Sequence, residues 1–304
     1  MLFFRYQISD AAGIKIFFFN FFYSAAAGFL HKHAWQNKTN VDIIIRFHTY
    51  VLLNALPAVH KKTGTMVNYP MSSMALLVIE GLWWTPEQKP KRPSVLAFLE
   101  GLESYKGDFN IYYSNFYEKV GFRRALTDDL MNTREDRLFL YVAAHGTDKR
   151  IGGLKSKTGM KIPEMFRVVR NAANYTNIEG VIIGSCSVGN NIGDFISTTK
   201  NSRIAWLFGY TCEISWMAST LIDVSIFEHL MKLKKSDLAN RKKILSAFIK
   251  ALGRFNGDYT LCKMKGKNIA LKDAITLVVQ PRSPGSKAQD ETKYLLENLG
   301  WNKK

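Results

Sequence analysis

From residue 74 onward, short apolar runs alternate along the chain with longer segments in which apolar residues recur every three or four positions. Short continuous apolar runs are typical of buried strands, and the longer spacing is typical of helices that cover a sheet. The predicted strands are residues 75–83, 109–117, 137–144, 180–184 and 204–210, and the predicted helices are 95–105, 118–131, 162–173, 215–233 and 237–252. This order predicts an α/β fold, a three-layer sandwich whose mainly parallel central sheet is flanked by helices.

Two further apolar segments near the C-terminus, residues 259–264 and 275–279, are expected to add strands at an edge of this sheet. The tail after Pro281 is polar, and we expect it to be loose as far as residues 295–301. Residues 74–304 are therefore predicted to form one α/β domain with a polar C-terminal tail.

The first 73 residues have a different character, and they are treated as an N-terminal extension of open status. The apolar run Ile16–Leu30 has 15 residues, fewer than the roughly 20 that a membrane-spanning helix needs. It suits the apolar part of a signal peptide, although the preceding segment is only weakly basic. Met71 and Met74 stand just before the first strand, so a mis-assigned start is also open. A signal, a membrane anchor and a small genuine element are the alternatives.

The composition indicates a folded globular protein, because 47% of the 304 residues are hydrophobic and glycine and proline are modest. Lys and Arg exceed Asp and Glu by 17. The densest basic positions are separate short clusters, residues 89–92, 123–124, 241–243 and 263–267. We interpret them as solvated surface, so nucleic acid is not an expected partner. A membrane is an expected partner only if residues 1–73 are genuine.

The three cysteines are too few and too widely spaced to predict a disulfide framework, and no paired-cysteine motif predicts a zinc site. Cys212 and Cys262 are expected to be small core residues. A reducing compartment, and hence a cytoplasmic location, is the expectation. Membrane association or export is the alternative if Ile16–Leu30 is a true anchor or signal.

The candidate chemistry lies where two predicted strands end. The third strand is followed by His145 and Gly146, and the fourth is followed by Cys186. Since parallel strands end at the same rim of a sheet, His145 and Cys186 are expected to face each other if their strands are neighbours. A nearby imidazole and a helix N-terminus are the usual means of activating a cysteine nucleophile. The backbone N–H groups of Gly146 and Cys186 are candidates to hold a developing oxyanion.

These two motifs, FLYVAAHG and GVIIGSCSVG, resemble those of the caspase-like cysteine peptidases, a group that includes caspases, metacaspases, legumain, gingipain, clostripain and CHAT peptidases. The resemblance extends over about residues 74–233. It implies a thiol protease, a hydrolase that cuts polypeptides through a thioester acyl-enzyme. His145 and Cys186 would be its catalytic dyad, Gly146 an oxyanion donor, and Ser215 and Trp216 part of the substrate pocket wall. No cofactor or metal is implied, and the activator is left open.

One departure from the family concerns specificity. Relatives that cut after basic residues often carry an acidic residue two positions before the cysteine, and this chain has Gly184 there. Asp148, Glu213 and Asp223 are the remaining candidates to supply negative charge to a substrate pocket, so the preferred residue before the cleaved bond is left open.

Two other functions remain as alternatives. A caspase-like scaffold or binding module in a defence or signalling system would keep the fold without efficient catalysis. A flavodoxin-like binder of nucleotides or polyanions would use the crevice at the strand ends, although no glycine-rich phosphate motif occurs.

Overall fold

The computed structural model describes residues 6–9, 15–18, 73–81, 94–130, 133–153, 159–264 and 266–301. The chain divides into two units, Met1–Val67 and Asn68–Lys304. In the first unit, the described residues form an antiparallel hairpin of β1 (Tyr6–Ser9) and β2 (Lys15–Phe18). Most of the run 16–30 lies outside the described residues, so the signal, anchor and start-site interpretations stay predictions.

The second unit contains the strands that the alternating pattern predicts, together with several short ones. Its strands are β3 (Met74–Gly81), β4 (Asn110–Phe116), β5 (Arg137–Ala143), β6 (Arg150–Ile151), β7 (Met160–Lys161), β8 (Ile178–Gly184), β9 (Trp206–Tyr210), β10 (Thr260–Met264), β11 (Lys267–Ala270), β12 (Ile275–Val279) and β13 (Gln289–Asp290). Its α-helices are α1 (Leu96–Lys106), α2 (Lys119–Arg124), α3 (Ile162–Tyr175), α4 (Ile192–Lys200), α5 (Trp216–Leu230), α6 (Arg241–Leu252) and α7 (Thr292–Asn298). A π-helical turn, Ala125–Asp129, extends α2.

Seven of these strands form the central sheet, in the order β13-β12-β9-β8-β5-β3-β4. The five strands from β9 to β4 run parallel, and β12 and β13 are antiparallel additions at one edge. Helices cover both faces of the sheet. The predicted α/β sandwich with a mainly parallel sheet is therefore confirmed. Among the described residues, no helix has the length and apolar character needed to cross a membrane.

The two faces of the sheet carry separate apolar clusters because side chains alternate along each strand. On β5, Phe139 and Tyr141 face the cluster that includes α1, α5 and α6, while Leu138 and Leu140 face the cluster that includes α2, α3 and α4. Every residue from Leu138 to Ala143 is buried. A strand that is covered on both faces explains why its sequence is continuously apolar rather than alternating.

Two expectations for the C-terminal region need correction. Residues 260–264 do not join the central sheet, because β10 pairs with β11 in a separate two-stranded antiparallel sheet. The tail after Pro281 is not loose throughout, since β13 pairs with β12 and α7 follows. Leu295 on α7 is fully buried, and this contact attaches the tail to the core.

Candidate active site

The candidate site lies at the carboxyl ends of β5 and β8, which are neighbouring parallel strands. Ala143 pairs with Gly184 in the last register position. The two segments remain in contact beyond the strands, because the backbone N–H of Ala144 donates to the side-chain Oγ of the buried Ser185 at 3.2 Å. The next residues along the two segments are His145 and Cys186, so the register brings them to adjacent positions on the rim. His145 is exposed and Cys186 is partly buried.

The main chain of Gly146 packs directly against the main chain of Cys186. A Cβ atom at Gly146 would lie 2.6 Å from the carbonyl oxygen of Cys186 and 3.1 Å from its nitrogen. Any other residue would therefore push the two segments apart, because real Cβ atoms do not approach a backbone oxygen so closely. Glycine at this position allows the His145 segment to reach the cysteine.

A short hairpin formed by residues 146–151 holds the His145 segment in place. The N–H of Gly152 donates to the carbonyl oxygen of His145 at 2.8 Å, and Gly146 forms a bridge with Ile151. Strand β6 then pairs with β7. The turn of the hairpin formed by residues 146–151 contains Asp148, which is exposed. The structure thus places Asp148 at the tip and His145 at the base of one hairpin.

Three backbone groups surround the Cys186 thiol. Burial raises the pKa of this thiol above its ordinary value, and the negative charge of Glu213 raises it further. Backbone hydrogen bonds from Ile214, from Gly146 and from Cys186 itself act in the opposite direction and lower the pKa. The net shift is upward, so the thiol is protonated at neutral pH.

The turn that carries Cys186 is strained. Ser187 has φ of 59°, and it is the one residue other than glycine with a positive φ in the part of the chain that the structure describes. Its N–H donates to the carbonyl oxygen of Cys212 at 3.0 Å. Left-handed backbone at a residue with a side chain is costly and persists where surrounding contacts enforce it, often at functional sites. A 3₁₀ turn, Val188–Asn190, separates Cys186 from α4.

The two residues assigned to the substrate pocket lie at the start of α5. Ser215 is exposed at the N-terminal end of this helix, and Trp216 packs edge-on against Phe98 of α1 with ring centroids 5.7 Å apart. The indole Nε1 of Trp216 is buried and has no hydrogen-bond partner among the described residues. Ile214, just before them, contacts the Cys186 thiol through its backbone. This proximity is the structural basis for keeping Ser215 and Trp216 as candidates.

Gly184, two positions before the cysteine, is in contact with a tyrosine ring. A Cβ atom there would lie 2.6 Å from the hydroxyl oxygen of Tyr141. Tyr141 donates to one carboxylate oxygen of Asp223 at 2.8 Å, and Tyr210 donates to the other at 2.7 Å. Asp223 is fully buried, and this burial raises the pKa of its carboxyl to about 7. Asp223 therefore braces β5, β9 and α5 beneath the site and does not line a substrate pocket. Sequence patterns do not show this network.

Cys212 and Cys262 form a disulfide, which corrects the expectation that both are unpaired core residues. They are 50 residues apart in sequence, but the segment after β9 lies beside β10, where Ile214 forms a bridge with Cys262. Cys186 is the free cysteine. Disulfides persist in oxidising compartments, so the basis for expecting a reducing compartment is removed. In the described part of the chain, no cluster of three or more His, Cys, Asp or Glu residues is placed to hold a metal ion.

Comparison with solved structures finds proteins of similar fold, whereas comparison of the sequence finds none. No family model matches the sequence, and no curated protein matches it. The fold is similar to that of a secreted C11 cysteine protease from Bacteroides thetaiotaomicron, whose structure was determined in complex with an irreversible peptide inhibitor. Sequence identity is 11% and the TM-score is 0.40. The match covers 68% of this chain and 66% of that protein, just under two thirds of its length.

Proposed function

We propose that this protein is a cysteine peptidase of the caspase-like type, with Cys186 as the nucleophile and His145 as the general base and acid. The observation that carries the proposal is the close packing of Gly146 on the main chain of Cys186, which brings the His145 segment to the cysteine. A cysteine segment next to a histidine segment at the carboxyl rim of a parallel sheet suits nucleophilic catalysis, in which a base takes the proton of the nucleophile.

The reaction would proceed through a thioester. His145 takes the proton of the Cys186 thiol as the sulfur attacks the carbonyl carbon of the scissile peptide bond. When the C–N bond breaks, His145 returns that proton to the leaving amine, and the acyl group remains on sulfur. A water molecule, deprotonated by His145, then attacks the thioester and releases the acid, and the thiol is restored.

The backbone N–H groups beside the sulfur suit a developing oxyanion. The backbone groups of Gly146, Ile214 and Cys186 act on the Cys186 thiol and lower its pKa. As His145 takes the thiol proton and the sulfur attacks, negative charge develops on the carbonyl oxygen, and donors already fixed in place stabilise this charge without reorganising. We assign Gly146 and Cys186 as the oxyanion donors.

The protonated thiol has a consequence for the mechanism. Because burial and Glu213 raise the pKa of Cys186, little thiolate exists at rest near neutral pH. The proton must therefore leave the thiol as the substrate is attacked, and this makes His145 a requirement rather than an enhancement. We propose a general-base mechanism instead of a resting thiolate and imidazolium pair.

The substrate is a polypeptide, and its contacts are assigned to the start of α5. Ser215 and Trp216 would form one wall of the pocket, and Asp148 at the hairpin tip would contact residues farther from the cleaved bond. Glu213 is exposed, and its negative charge acts on the Cys186 thiol.

One observation favours a second candidate function. A thiol whose pKa is raised reacts slowly with electrophiles unless a base assists it. A caspase-like scaffold that binds polypeptides without cleaving them would have the same fold and would tolerate this unfavourable pKa. The two functions differ in whether His145 accelerates a reaction at Cys186.

Peptide hydrolysis tests the proposal. Purified protein, kept oxidised so that the Cys212–Cys262 disulfide stays intact, would be incubated with a library of peptides that vary the residue before the cleaved bond. We expect cleavage that is lost in both Cys186→Ala and His145→Ala. His229→Ala is a matched control, because His229 is the other histidine of the second unit and contacts Ser225 on α5. Cleavage that survives Cys186→Ala would refute the assignment, and binding of peptides without cleavage would favour the scaffold.

A further inference from the structure

A cleft of about 580 Å³ lies between the β6–β7 hairpin, the start of α2 and the first turn of α3. We call it the cationic cleft. The charged residues of its lining are Lys119, Arg150, Lys161, Arg167 and Glu164. Four of these side chains are basic and one is acidic, so the lining has an excess of three positive charges. Neither His145 nor Cys186 belongs to the lining, and the cleft is thus separate from the candidate active site.

The carboxylate in the cleft is already neutralised by its neighbours. Lys119 lies 2.5 Å from Glu164, and Arg167 lies 3.2 Å from the same oxygen. The hydrogen bond from Lys119 is the main reason that the pKa of Glu164 is lowered, and the charges of Arg167 and Arg123 lower it further. Glu164 therefore remains ionised, but the cations around it outnumber it.

The other two basic side chains have no such partner. Neither Arg150 nor Lys161 forms an ion pair with a carboxylate among the described residues. Arg150 instead donates from Nη1 to the backbone carbonyl oxygen of Gly159 at 2.5 Å, which holds its guanidinium at the cleft wall. Lys161 is exposed at the start of α3. A guanidinium held at the cleft wall and an exposed ammonium, neither with a carboxylate partner among the described residues, are the groups that an anionic ligand would use.

A second cleft is also lined by basic residues, but most of its basic side chains have carboxylate partners. It has a volume of about 290 Å³ and lies between α5 and α6, where Lys232, Lys243 and Lys250 are among its lining residues. Lys232 is paired with Glu228 at 2.7 Å, and Lys243 is paired with Asp237 at 2.5 Å. Its lining contains no arginine. The α5–α6 cleft is thus smaller than the cationic cleft. Two of its three lysines are already paired with carboxylates, and it offers no guanidinium.

From these observations we propose that the cationic cleft binds a short run of linked phosphate groups. Three excess positive charges match a compact ligand with several negative charges, and the two arginines, Arg150 and Arg167, offer planar donors that suit phosphate oxygens. The volume lies within the range of small-molecule sites. Inorganic triphosphate and the triphosphate group of a nucleotide share this chemistry. The site is independent of the peptidase proposal, since it uses none of the same residues.

Calorimetric titration of the full chain with inorganic triphosphate at low ionic strength tests this site. We expect saturable binding of one triphosphate that weakens as salt is added, because clustered charges govern the affinity. The double variant Lys161→Gln, Arg167→Gln should bind at least about tenfold more weakly. Both side chains are exposed, so the fold should be retained, and thermal melting checks this. In contrast, Glu164→Gln should bind about threefold to tenfold more tightly, because it removes the one carboxylate of the lining.

The matched control is the double variant Lys232→Gln, Lys250→Gln in the α5–α6 cleft, which loses the same two positive charges. It should change the affinity for triphosphate by less than about twofold. A parallel titration with ATP identifies the source of the phosphates: tighter binding than inorganic triphosphate indicates a nucleotide, and equal binding indicates that the phosphates alone are recognised. No saturable binding of triphosphate or ATP would refute the proposal. So would an equal loss in the control variant, or tighter binding of an acidic peptide that does not depend on Lys161 and Arg167.

Discussion

The segments that follow β8 and β9 each carry a cysteine, and they differ in how the protein holds it. Cys186, after β8, is free and partly buried, and backbone N–H groups surround its thiol. Cys212, after β9, is only 1% exposed and is covalently joined to Cys262. The two segments touch, since the N–H of Ser187 donates to the carbonyl oxygen of Cys212. One cysteine is thus available for chemistry, while the other fixes the wall beside it.

This comparison shows that the function of a cysteine depends on its surroundings and not on its place at a strand end. Both cysteines follow buried parallel strands within two residues of the strand end. Only the β8 segment faces a histidine-bearing strand end, and only the β9 segment lies beside β10. The variants below change one of these segments or a residue that supports it.

Removing the disulfide should have the largest effect. The double variant Cys212→Ser, Cys262→Ser opens a covalent link across 50 residues, and a loop of this length suggests a loss of roughly 2–4 kcal/mol in the free energy of unfolding. The reactivity of Cys186 should also fall, because Ile214 and Cys212 lose their anchor. Urea unfolding of wild type and variant measures the first effect. A variant as stable as wild type would show that the disulfide has no structural role.

Gly146→Ala should have the next largest effect. The added methyl group would lie 2.6 Å from the carbonyl oxygen of Cys186, so the two segments must move apart. We expect a loss of about 1–3 kcal/mol in the free energy of unfolding, which is typical of overpacking, together with a slower reaction at Cys186. Gly101→Ala is the control, because nothing lies near a Cβ atom at that position on α1. Equal reactivity of Gly146→Ala and wild type would contradict the proposed contact.

Asp223→Asn should alter the pH dependence of stability. The pKa of the folded carboxyl is about 7, above its ordinary value of 3.8, because the group is buried. Between these values the folded protein retains a proton that the unfolded chain has released. Stability therefore falls as pH rises through this window, by at most about 1.4 kcal/mol per pH unit for one group. The variant should show a flatter profile between pH 4 and pH 7 in urea unfolding, and an unchanged slope would contradict the assigned pKa.

Ser187→Gly should have the smallest effect. Glycine adopts the observed φ of 59° without steric cost, so relief of strain should stabilise the fold by about 1 kcal/mol or less, partly offset by the greater freedom of glycine in the unfolded chain. Thermal melting detects a change of this size. Destabilisation would indicate that the Ser187 side chain makes a contact more valuable than the strain it imposes.

The arrangement of the site follows from the sequence as far as the parallel sheet determines it. Two apolar strands that end in His145 and Cys186 must share a rim, and the glycine after the histidine marks a close approach of two backbones. The Asp223 network could not be derived in the same way, because the hydrogen bonds from Tyr141 and Tyr210 to Asp223 depend on the position of α5. The Cys212–Cys262 disulfide was also missed, because the two cysteines are 50 residues apart in sequence and residues 260–264 were expected to join the central sheet.

The most direct test of the proposed dyad is the rate at which Cys186 reacts with an alkylating electrophile between pH 5 and pH 9, followed by intact mass in wild type and His145→Ala. With the disulfide intact, we expect one labelled site, Cys186, and a rate in wild type that exceeds that of the variant at neutral pH. Because its raised pKa leaves Cys186 protonated near neutrality, the variant should react appreciably only at the alkaline end. Identical pH profiles for the two proteins would contradict the proposal that His145 activates Cys186.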